Sequence, residues 1–268
     1  MYPGTLFREA LNRNSVPAYL SGTAFRPTNM TYELIHEDEH ILVVSKPAGL
    51  LTIPDRFGNK ESLVAALQSK YGKVFIVHRL DRETSGILVF ARNEAAHRHL
   101  SMQMEHHTAD KFYLALLDGV LHHEEGEIDK PIGEHHSIPG KMAVTNSGKP
   151  SLTFYRATER FQRFTLVEAQ IKTGRTHQIR VHFQSIGYPL AIDALYGRRE
   201  QFFLSEVKGK KYKSGKFTEE ERPLMERTSL HAARLRLQHP ATGEVMEFNA
   251  ALPKDFAALL SQLRKWGK

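Results

Sequence analysis

Apolar residues along this chain fall mostly into short runs broken by polar, turn-forming segments, the pattern of buried or half-buried strands. Residues 32–35 and 41–45 read as two strands joined by the charged turn Glu37-Asp38-Glu39. Residues 74–77 and 87–90 read as two buried strands, and residues 111–117 as a half-buried strand with Lys111, Tyr113 and Ala115 on one face. Residues 152–155 and 164–171 form a further pair, and residues 230–237 and 244–248 a hairpin around His239-Pro240-Ala241-Thr242-Gly243. Helical spacing appears four times. A helix starts at Ser62 and ends at Tyr71-Gly72; another, capped by Asn93, runs from Glu94 to about His106 with Ala96, Leu100 and Met104 in register. Ile179, Phe183 and Ile186 mark the third, ended by Gly187, and Phe256, Leu259, Leu260 and Leu263 the last, with Trp266 at its end. Residues 118–150 are rich in glycine and proline and read as loops, and the highly charged residues 198–228 as a mobile insertion. Residues 1–30 show no period and read as an extended arm with one helical turn near residues 6–11.

Composition narrows the chemistry. The chain has 268 residues, which suits one large domain or a tightly joined pair. Its net charge of +7 favours a polyanionic partner, most simply nucleic acid. With no cysteine, disulfides, zinc ribbons and thiol nucleophiles are excluded. No run is apolar and long enough to span a bilayer, and the amino terminus lacks a secretory pattern. Histidines at 97, 99, 106 and 107, and at 122, 123, 135 and 136, show no zinc-binding spacing and read as surface positions.

Between the runs at 74–77 and 87–90 lies His78-Arg79-Leu80-Asp81-Arg82-Glu83-Thr84-Ser85-Gly86, a charged loop pinned between core strands, with Gly86 allowing close backbone approach or positive φ. Lys46-Pro47-Ala48-Gly49-Leu50 precedes it; Lys111-Phe112-Tyr113-Leu114-Ala115, Thr173-Gly174-Arg175-Thr176-His177-Gln178-Ile179-Arg180 and a run from Gly187 to Gly197 follow. In this order the segments resemble the motifs of the RluA family of pseudouridine synthases, from about Tyr32 to the end of the chain. One position departs: Ile192 stands where the family usually has glycine.

The resemblance implies an RNA enzyme that isomerises uridine to pseudouridine without cofactor or metal. It assigns Asp81 as nucleophile, a role a carboxylate ionised at neutral pH can fill without a partner base. Arg175 is the expected ion-pair partner of Asp81, since guanidinium can bind carboxylate in a bidentate way. Tyr113 would stack on the flipped uracil and assist proton loss at C5, and Arg79 would fill the gap left in the RNA. Lys46, Lys111, His177 and Arg180 are candidate RNA contacts, with a solvated turn lysine the competing reading for Lys46.

The expected fold is α+β: a mixed, mostly antiparallel sheet with flanking helices, covering residues 31–268 behind an extension at 1–30. That extension looks too short for the small RNA-binding (S4) domain many family members carry. The expected partner is a ribosomal or transfer RNA stem-loop, the expected compartment the cytoplasm and the default state a monomer. A catalytically silent RNA-binding protein on the same fold shares the charge but needs no Asp81, Tyr113 and Arg175 together. A phosphotransferase lacks its glycine-rich and Asp-Phe-Gly segments; a glycosidase using Asp81 and Glu83 would act on sugars.

Overall fold

The computed structural model describes residues 32–54, 61–212 and 221–267. The expectations for residues 1–30 and for the middle of the charged insertion therefore lie outside the described residues.

Among the described residues a ten-stranded sheet carries the chain. β1 (Glu33–Glu37) and β2 (Ile41–Lys46) form an antiparallel pair, and β2 continues onto β4 (Ser85–Ala91). β11 (Leu230–Gln238) then runs parallel to β4 and antiparallel to β5 (Asp110–Asp118). β10 (Phe164–Ile171), β9 (Leu152–Arg160) and β6 (Glu125–Asp129) complete the row, with β12 (Val245–Asn249) on β11 and β3 (Phe75–Ile76) on β4. β7 (Ile132–Glu134) and β8 (Met142–Val144) form a separate small pair. Among the described residues every strand pairing except β4–β11 is antiparallel, so the α+β expectation of a mixed, mostly antiparallel sheet holds.

Both faces of the central strands are covered. On β5, Tyr113, Ala115 and Leu117 join the large core, whereas Leu116 joins a second core built with Phe164, Phe202, Phe256 and Leu260. This two-sided burial corrects the half-buried reading of β5. The second core is roofed by α4 (Lys254–Trp266), whose Phe256, Leu259, Leu260 and Leu263 are buried as their spacing predicts. α1 (Leu63–Tyr71) is capped by the Ser62 hydroxyl, and α2 (Glu94–Glu105) by the Asn93 side chain.

Three readings change. The run at 74–77 shrinks to a two-residue strand with Ile76 exposed, because it pairs only with the end of β4. Residues 118–150 contain three short strands, whose hydrogen bonds satisfy backbone that the glycines and prolines had suggested was irregular. The charged insertion is anchored at both described ends: Phe202 and Met225 bridge to one another and are buried in the second core.

The parallel contact between β4 and β11 fixes the site's floor. Gly86 has φ +116, and a Cβ there would lie 2.1 Å from the Ala232 carbonyl oxygen. Gly86→Ala should cost about 3 kcal/mol or more, because rigid backbone has to move. Equilibrium unfolding should show this directly, and a loss below 1 kcal/mol would contradict the contact.

Beside it, buried His231 bonds Ser85 Oγ through Nδ1 (2.9 Å) and faces the Ala250 carbonyl through Nε2 (3.2 Å). Burial pushes its pKa down to about 4. The unfolded chain therefore takes up this proton first as pH falls. The neutral His231 contributes fully above the ordinary histidine value, and stability is lost between pH ~6.5 and ~4, by about 3 kcal/mol. Stability that rises over this window would show His231 to be charged in the fold.

Candidate active site

Asp81 sits in the loop between β3 and β4, and the local sequence locks that loop from beneath. Lys46 ends β2 and is fully buried; its ammonium donates to the carbonyls of Pro47 (2.9 Å), Leu50 (2.7 Å) and Arg82 (3.0 Å). Gly49 N–H donates to the Arg82 carbonyl, and Arg82 Nε returns a bond to the Gly49 carbonyl. Thr52 Oγ1 donates to the Leu80 carbonyl and accepts from Leu80 N–H. The Lys-Pro-x-Gly turn is thus a clasp on the Asp81 loop. This corrects the reading of Lys46 as a phosphate contact: its three donors are consumed inside the fold. Burial lowers its pKa to about 7.

The loop lines a cleft of about 490 Å³. Asp81, Arg79 and Leu80 line it from the loop, Lys111 and Tyr113 from β5, Gly174, Arg175 and His177 from the turn after β10, and Ile179 and Arg180 from α3 (Gln178–Ser185). The structure therefore brings together seven of the eight residues singled out from sequence; Lys46 stands outside.

Their pairing differs from expectation in one respect. The cation on Asp81 is Arg180, with Nη1 3.2 Å from Oδ2, and not Arg175. Arg175 Nε instead donates to the Pro150 carbonyl at 3.2 Å. The reason is local geometry: Arg175 lies in the turn before α3, whereas Arg180 projects from the helix onto the loop. Arg180 is itself held by Asp193, a fully buried carboxylate gripped through Nε (2.7 Å) and Nη2 (2.8 Å). Asp193 Oδ1 also accepts the N–H groups of Leu195 and Tyr196. One guanidinium thus joins a buried structural carboxylate to the partly exposed Asp81.

His177 completes the frame. It adopts the left-handed conformation at φ +57 just before α3, and its Nδ1 lies 2.8 Å from the Tyr196 hydroxyl. That hydroxyl accepts the Met142 N–H (2.7 Å), which leaves its own proton for Nδ1. The tautomer this sets turns an Nε2–H toward Asp81 Oδ2, 3.8 Å away. Burial lowers the His177 pKa against the opposing pull of Asp81, so the imidazole is neutral. Tyr113 is buried, and burial with the nearby Asp81 charge raises its pKa. It is a neutral phenol, a hydrogen-bond donor at neutral pH. Arg79 stands exposed at the rim, 3.3 Å from Thr176 Oγ1.

Asp193 and Tyr196 carried no role in the sequence reading. Their signal was present in the Asp-x-x-Tyr-Gly run, but the link to Arg180 is tertiary. Among the described residues no group of three histidine or acidic side chains could hold a metal ion, and no helix is long and apolar enough to cross a membrane.

The family model described as RNA pseudouridylate synthase matches residues 40–185. The chain is 39% identical over 247 residues to an uncharacterized RNA pseudouridine synthase, YlyB, of Bacillus subtilis, covering 89% of this chain and 75% of that one. It is 41% identical over 239 residues to ribosomal large subunit pseudouridine synthase D of Pseudomonas aeruginosa, covering 87% and 72%. Among solved structures, human RNA pseudouridylate synthase domain containing 1 is similar with a TM-score of 0.64 at 27% identity, over 91% of each chain. Human RNA pseudouridylate synthase domain containing 4 shares the fold, with a TM-score of 0.67 at 24% identity over 87% and 93%.

Proposed function

The chain belongs to the RNA pseudouridylate synthase family and is an RNA pseudouridine synthase, and from that premise we propose that it converts a uridine of large-subunit ribosomal RNA, with Asp81 as nucleophile on a flipped base. The observation that carries this reading is the Asp81–Arg180–Asp193 chain, which presents one oriented carboxylate to a cleft floored by Tyr113. Asp193 offsets the guanidinium charge, so Arg180 orients Asp81 through one hydrogen bond and does not grip both its oxygens.

In the reaction the N1–C1′ bond breaks and a C5–C1′ bond forms. The C5 proton is lost to solvent and N1 gains one from it, and the bond that Asp81 forms as nucleophile is broken again before release, so substrate and product have the same atoms. No oxidant or group donor is required by this balance. The base has to leave its stack to reach Asp81. Tyr113 packs on the flipped uracil and, as a phenol, donates to it, while Arg79 occupies the space left in the RNA. The neutral His177 holds its Nε2–H toward Asp81. Arg175 lines the same cleft and contacts the RNA backbone. Residues 31–268 act as one catalytic domain working in the cytoplasm, with residues 1–30 as an extension. The ribosomal assignment follows the function in the name of the Pseudomonas relative.

The test is incubation of the purified chain with unmodified transcripts of large-subunit ribosomal RNA and of transfer RNAs, followed by pseudouridine mapping. A single new site in the ribosomal transcript is expected. Modification of transfer RNA alone would reassign the substrate, and modification of neither would remove the catalytic reading.

A further inference from the structure

Lys111 is an anomaly within the cleft. It lies on β5, two residues from Tyr113 and on the same face, is only 8% exposed, and lines the cavity. Its ammonium makes no hydrogen bond or ion pair with any described residue. A lysine buried this deeply, its ammonium opening on the cleft without a protein acceptor, is costly, and the contrast with Lys46, whose three donors are all used, is complete. The surroundings deepen the anomaly. Asp110, the one carboxylate acting on Lys111, is taken by Lys172 Nζ (2.8 Å) and by Gln170 Nε2 (2.7 Å). Lys172 and Arg175 add positive charge, and His78 and His107 are neutral. Gly174 stands beside the ammonium: a Cβ added there would meet Nζ in ordinary contact at 3.7 Å.

We propose that Lys111, flanked by Arg175 and Lys172, is the seat of a phosphodiester group of the bound RNA, that of the target uridine itself. This rests on the functional reading above and adds a named subsite to it. Strand geometry puts Lys111 about 7 Å from Tyr113 along β5, within the span of one nucleotide from base to phosphate. With the uracil on Tyr113, the phosphate reaches Lys111 and Arg175, which line the cleft without a carboxylate partner, beside Lys172, which holds Asp110. Burial and the neighbouring Lys172 lower the Lys111 pKa to about 8, which leaves the ammonium largely charged at neutral pH.

The test uses mononucleotides, so it does not depend on turnover. Binding of uridine, uridine 3′-monophosphate and uridine 5′-monophosphate to the full chain is compared by calorimetry. One monophosphate should bind at least tenfold more tightly than uridine. Lys111→Met should abolish that preference and leave uridine affinity unchanged, Lys111→Arg should keep most of it, and Arg175→Gln should reduce it about threefold. Equal binding of all three ligands by the wild-type chain overturns the proposal. So does a preference that survives in Lys111→Met, or a loss of uridine affinity equal to the loss for the monophosphate, which would assign the ammonium to a uracil carbonyl. If Lys111→Met fails to fold, the wild-type comparison and Arg175→Gln decide. Pseudouridine formation measured in parallel separates the two readings: turnover without phosphate preference removes only the subsite, and preference without turnover removes only the reaction.

Discussion

Asp81→Asn should lower turnover on the RNA at least about a thousandfold, because the amide keeps the shape of the side chain but cannot act as the nucleophile. The fold should hardly notice. Asp81 is part-exposed at the rim of the cleft, and Arg180 keeps its bidentate partner Asp193. A partly exposed ion pair of this kind contributes about 1 kcal/mol or less. RNA affinity should be unchanged or slightly increased, since a negative charge is removed from a site that receives a polyanion. The measurement is single-turnover conversion together with thermal unfolding and RNA binding on the same preparation. Retention of more than a tenth of wild-type turnover by the folded variant would show that Asp81 is not the nucleophile.

Asp193→Ala is expected to have the largest effect on stability. The substitution leaves the Arg180 guanidinium buried with Asp81 as its remaining carboxylate and orphans the N–H groups of Leu195 and Tyr196. Removing one partner of a buried pair typically costs about 3–5 kcal/mol, which for a chain of this size lowers the melting temperature by about 10 °C. Turnover should fall at least tenfold in whatever protein remains folded, because Arg180 is then free to take Asp81 in a two-oxygen grip. Asp193→Asn keeps an acceptor for the turn and should recover part of the stability but little of the turnover. If Asp193→Ala changed the melting temperature by less than 2 °C, Asp193 would not be the anchor that its distances indicate.

Most of the strands and helices could be read from period and caps, because their signals are local. Ser62, Asn93 and Gly187 mark helix ends by chemistry that acts within one turn, and Phe256 to Leu263 mark a buried face by spacing. The errors share a cause. Residues 74–77 are as apolar as a core strand, but whether such a run is buried depends on what lies beyond it, and here little does. The strands at 125–129, 132–134 and 142–144 lie among glycines and prolines that local rules assign to loops, and pairing makes them strands, the first on β9 and the other two on each other. The insertion looked mobile because its charges outnumber its apolar residues; Phe202 and Met225 nonetheless reach the second core.

At the site, motif order located the loop, β5 and the α3 turn, and the structure gathers Asp81, Tyr113, Lys111, His177, Arg175 and Arg180 around one cleft. Sequence could not tell which of two arginines five residues apart meets Asp81, because that depends on the entry of α3 into the domain. Nor could it tell that Lys46 turns inward. A lysine beside a Pro-Gly turn looks solvated until the carbonyls of Pro47, Leu50 and Arg82 are seen to surround it.

The most direct test of the central claim is pseudouridine mapping across ribosomal RNA in cells lacking this gene, restored either with the normal protein or with Asp81→Ala. The account predicts that one large-subunit site disappears on deletion, returns with the normal protein and stays absent with Asp81→Ala expressed to the same level. Restoration of the site by Asp81→Ala would contradict it.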